Sequence, residues 1–110
     1  MRDFFQKTTV YLAGLDIAKA DPLEQKANYL LSDEAVYERA SQALRRRFSR
    51  GAADVEAVDR GGRLTKIRRV KEGGNYKYEV LGSDGSWTAP EERIWVVAMY
   101  ALWQDKSKSS

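Results

Sequence analysis

Apolar residues recur at helical spacing through the first half of the chain. Phe4, Thr8, Tyr11, Leu12, Leu15 and Ala18 fall on one face of a helix over 3–19. Thr8, Thr9 and Val10 are β-branched and Gly14 interrupts the pattern, so a short strand at 7–13 is the competing reading. Asp21-Pro22-Leu23-Glu24 marks a cleaner helix start. Asp21 can accept from the first free N–H groups, Pro22 suits the first helical position, and Glu24 completes a capping-box pattern. Leu23, Ala27, Leu30 and Leu31 supply the buried face of that helix. A further helix, about 33–49, opens after Ser32 with Asp33 and Glu34 in its first turn, where the helix dipole favours anions. Val36, Ala40, Ala43, Leu44 and Phe48 form its apolar face, and Gly51 can end it in the left-handed conformation.

The period then changes. Residues 52–60 fit a helical turn or a short strand, and Gly61-Gly62 closes the segment with a turn. Leu64 to Glu72, Gly73-Gly74-Asn75 and Tyr76 to Val80 read as a β-hairpin, since Tyr76, Tyr78 and Val80 alternate with Lys77 and Glu79. Asp84-Gly85 predicts a tight reversal into a short third strand at Trp87-Thr88. Thr88-Ala89-Pro90-Glu91 repeats the capping-box pattern, and Ile94 to Trp103 is apolar nearly all round, as in a buried helix. The expected fold is therefore α+β. Three N-terminal helices lead to a small antiparallel hairpin or three-stranded sheet, and a buried C-terminal helix closes the core. One domain spans 1–104, followed by a polar tail at 105–110. The order of helices and hairpin is similar to that of winged-helix proteins in element order alone. The acidic start Asp33-Glu34 is unlike a recognition helix, which presents its N-terminal end to bases, and no family is assigned.

Composition narrows the chemistry. The 110 residues are 43% apolar and 32% charged, a balance typical of a globular domain. The chain has no cysteine and no histidine. That removes disulfides, thiolate nucleophiles, imidazole bases and Cys/His zinc sites, so a non-enzymatic role with no cofactor is expected. Asp54 and Glu56 would share a face in a strand and could hold a divalent cation, but the calcium-loop spacing is absent and no metal site is assigned. Gly73-Gly74 and 82–86 match no phosphate-loop fingerprint and are read as turns. Arg46-Arg47-Phe48-Ser49 resembles a basophilic kinase site, a short and common match that carries little weight. No apolar run of signal-peptide length follows the N-terminal residues, the longest run, Ile94 to Trp103, is about half of what a membrane span needs, and a cytoplasmic protein is expected.

Charge changes the picture most. The formal net charge is only +3. Residues 41–71, however, carry ten cations and three anions, while the segments on either side are each mildly acidic. Arg45, Arg46, Arg47, Arg50, Arg63, Lys66, Arg68, Arg69 and Lys71 would form one basic surface if the helix end met the strand, with Tyr76 and Tyr78 as stacking faces. Nucleic acid is the first expected partner, and an acidic protein surface is the second. The last helix offers a separate interaction feature. Trp95, Met99 and Trp103 form one stripe, which would be either core or the anchor of an assembly or regulatory contact, including a homodimer.

Overall fold

The computed structural model describes residues 21–89 and 92–109. The helix expected at 3–19 and the capping residues Pro90 and Glu91 lie outside the described residues. Helix α1 (Pro22–Ser32) starts as its sequence demands: the Glu24 N–H donates to Asp21 Oδ1 at 2.8 Å and Pro22 occupies the first turn. Helix α2 (Glu34–Ser49) follows with a single extended residue between them. That residue, Asp33, is the N-cap, rather than Ser32 or a first-turn position. Its Oδ1 accepts from the Ala35 N–H at 3.0 Å and the Val36 N–H at 3.4 Å. Ser32 instead ends α1, donating its hydroxyl to the Tyr29 carbonyl. Asp33→Ala should lower stability by about 1 kcal/mol, readable as a shift of the urea midpoint, because it strips the side-chain acceptor that caps this helix start.

The sheet has four antiparallel strands in sequential order: β1 (Val55–Val58), β2 (Leu64–Glu72), β3 (Asn75–Leu81) and β4 (Trp87–Thr88). Three strands were expected, and the ambiguous segment 52–60 supplies the fourth. Val55 and Ala57 point inward and pair with Ile67 and Thr65, so burial against β2 decides in favour of strand. Two glycines with positive φ, Gly73 and Gly74, form the two-residue turn between β2 and β3. Helix α3 (Arg93–Ser109) then packs against α1, α2, β1 and β3. It continues through the expected polar tail, where Lys26 of α1 pairs with Asp105.

One face of the sheet carries Val55, Ala57, Thr65, Ile67 and Val80 toward the helices. Leu23, Ala27, Leu30, Leu44, Phe48, Val96, Val97 and Tyr100 complete that core. Residues of the other parity, including Leu64, Lys66 and Glu72, are exposed on the opposite face. β1 pairs only with Leu64–Ile67, and β4 only with Val80 and Leu81. Residues 68–79 therefore extend beyond both flanking strands as a two-stranded ribbon.

Candidate functional site

The ribbon has two unlike faces because strand side chains alternate. On one face Arg68 meets Glu79, its direct cross-strand partner, with Nη2 at 2.6 Å and Nε at 2.8 Å from Oε1. Its guanidinium also lies 4.4 Å from the Trp87 ring centroid. Lys77 bonds Glu72 on this same face at 2.9 Å, and that hydrogen bond, followed by the charge of Glu72, raises the ammonium pKa above its ordinary value. These charges are spent on one another.

The other face carries Arg69, Lys71, Tyr76 and Tyr78. Arg69 stands over Tyr76 at 4.1 Å and over Phe48 of α2 at 5.5 Å from the ring centroids. Phe48 also packs on Tyr78 at 5.9 Å. Phe48 thus joins the basic end of α2 to the basic strand. Tyr37, Ser41 and Arg45 follow at successive turns of α2, on the side that leads to this junction. Arg93, the first residue of α3, completes the group with its guanidinium 5.7 Å from the Tyr78 ring. Burial raises the Tyr37 phenol above its ordinary value, and the positive charges of Arg93 and Arg45 oppose that shift. Tyr37, Arg45, Tyr78 and Arg93 therefore share one electrostatic neighbourhood. Among the described residues, Arg45, Arg69, Lys71 and Arg93 form no ion pair. Tyr76 is 57% exposed.

An open cleft of about 320 Å³ adjoins this face, lined by Tyr76, Lys77, Tyr78, Ala89, Arg93 and Val96. It lies between the outer edge of β3, beyond the end of β4, and the start of α3.

The basic surface expected from the sequence is thereby divided. Arg69, Lys71, Tyr76 and Tyr78 share one ribbon face, and Arg45 stands three residues before Phe48, the α2 side chain that packs on it. Arg46, Arg47 and Arg50 sit exposed around the end of α2, with Arg50 as its C-cap. Arg63 turns back to Asp59, with Nη2 at 3.0 Å from Oδ2. Lys66 and Arg68 point to the opposite face. Arg60 pairs with Glu24 and Asp21 and covers the Trp95 ring at 4.8 Å. Arg93 was not among the expected site residues, because only its fold position brings it near Tyr78.

The tryptophan stripe is placed against the core. Met99 is buried, Trp95 and Trp103 are half-buried, and Trp103 Nε1 donates to Glu56 Oε2 at 2.8 Å. Glu56 and Asp59 thus have protein partners, and no group of three potential metal ligands occurs among the described residues. No described helix is long and apolar enough to cross a membrane. No known protein family, curated protein or solved structure matches the chain.

Proposed function

We propose that this chain is a non-enzymatic nucleic-acid-binding protein, and that Arg45, Arg69, Lys71 and Arg93, with Tyr76 and Tyr78, form its binding face. The observation that carries this reading is the sorting of the arginines. Arg60, Arg63 and Arg68 are neutralised by carboxylates, whereas the cations around Tyr76 and Tyr78 have no acidic partner among the described residues. Guanidinium groups without carboxylate partners beside accessible aromatic rings suit a ligand that offers phosphates and flat bases together.

Fluorescence anisotropy with labelled oligonucleotides across a salt series tests the reading. Four phosphate contacts predict a plot of log affinity against log salt with a slope of about −3 on a single strand. Arg63→Ala should leave the curve within about twofold, because Arg63 is engaged by Asp59 away from this face. Absence of binding at low salt, or equal affinity for polyglutamate, would overturn the proposal. The second outcome would point to an acidic protein surface instead.

A further inference from the structure

We infer that the cleft beside β3 takes one unpaired base, so that the preferred ligand of this face is single-stranded. This rests on the nucleic-acid reading above and specifies which form of nucleic acid the face selects.

Size is the first argument. A cleft of about 320 Å³ lies at the small end of ligand pockets, a scale that suits a planar ring system entering from the open side. Its lining is the second. Ala89 gives it an exposed apolar edge with Val96 buried beneath, while Tyr76 and Tyr78 bring aromatic rings from β3. The cation available at the cleft is Arg93. Lys77 also borders it, but the Lys77 ammonium is held by Glu72 and Glu79 on the opposite face of the ribbon. An open cleft with aromatic rings and one guanidinium at its edge matches a base whose neighbouring phosphate lies outside. Position is the third argument. Arg69 and Lys71 follow β2 away from the cleft on the same ribbon face, so a backbone could run along them while one base turns inward. A base within a duplex is already stacked and paired, and extruding it costs energy that an unpaired strand does not spend.

Three labelled probes of equal length decide the matter: a single strand, its duplex, and a single strand whose bases are replaced by abasic sites. The single strand should bind on the order of tenfold more tightly than either of the others, the contribution of one stacked base. Ala89→Leu adds volume at an exposed position bordering the cleft, and should collapse the difference between the single strand and the abasic strand. Equal binding of all three probes by the unaltered protein, with the steep salt dependence retained, would overturn the cleft inference and leave the cationic face standing. A preference for the duplex would overturn it equally. Failure of every probe to bind at low salt is the separate outcome that removes the underlying reading. The abasic comparison on the unaltered protein does not depend on how the variant folds.

Discussion

Leu44→Ala is expected to lower the unfolding free energy by about 3 kcal/mol, a large share of the total for a domain of this size. Leu44 is fully buried on α2, in the cluster that joins this helix to α3 and the sheet. The substitution removes transfer free energy and leaves a cavity between elements that cannot simply close, since Phe48 one turn later is fixed against Tyr78 and Arg69. Urea denaturation followed by circular dichroism measures it. Arg47→Ala, three residues on and exposed, should stay within about 0.5 kcal/mol. A loss below about 1 kcal/mol for Leu44→Ala would mean that α2 is not docked as described. The effect should also reach the binding face, because Arg45 and Phe48 are carried by the same two turns.

The architecture was legible wherever the local pattern and the tertiary environment agree. The apolar face of α2, the Asp21-Pro22 start of α1 and the alternation around Gly73-Gly74 each carry their own signal, and each element forms there. β1 did not carry one. Its four residues include an alanine and a glutamate, and they become a strand because Thr65 and Ile67 are there to pair with. Likewise, the residue pattern of 105–109 carries no apolar helical signal of its own. The ion pair from Lys26 to Asp105 reaches back 79 positions along the chain, and a polar tail read by itself shows no such partner. At Asp33, the choice between two adjacent capping residues turned on which one adopts extended backbone, which a list of preferred residue types does not decide.

The site was legible as a charge density and illegible as a surface. Counting cations located 41–71, but strand alternation sends Lys66 and Arg68 one way and Arg69 and Lys71 the other. The carboxylates that neutralise Arg60, Arg63 and Arg68 come from α1, from the turn after β1 and from β3. Arg93 lay outside the basic segment, in a mildly acidic part of the sequence, and joins the face only because α3 starts beside Tyr78. Net charge by segment is thus a poor guide to free charge by surface, and the difference between them can be measured.

Two charge-matched triple variants separate these quantities, with the largest effect expected on binding. Arg45→Gln, Arg69→Gln and Arg93→Gln together remove the three arginines of the proposed face, leaving Lys71, while Arg60→Gln, Arg63→Gln and Arg68→Gln remove arginines held by carboxylates. Each set takes the formal net charge from +3 to zero. Glutamine keeps part of the side-chain stem, so packing on Tyr76, Tyr78, Trp87 and Trp95 is reduced rather than lost. If net charge alone attracted the ligand, the two proteins would bind equally weakly. On the site reading, the first set removes three phosphate contacts. Affinity for a single strand should then fall on the order of 100-fold at about 0.1 M salt, and the salt slope should become shallower by about 2. The second set removes no contact and acts only through the longer-range field, which salt screens within about 10 Å, so its loss should stay below about tenfold with the slope retained. It does free the carboxylates of Glu24, Asp59 and Glu79, and that residual repulsion is why a small loss is expected rather than none. Exposed pairs of this kind contribute about 0–1 kcal/mol each, so both proteins should remain folded, as thermal melts of the two sets would verify before binding is measured. Equal losses in the two sets would remove the assignment of Arg45, Arg69 and Arg93 as the binding cations, since placement and the lack of carboxylate partners are what distinguish them from the other three.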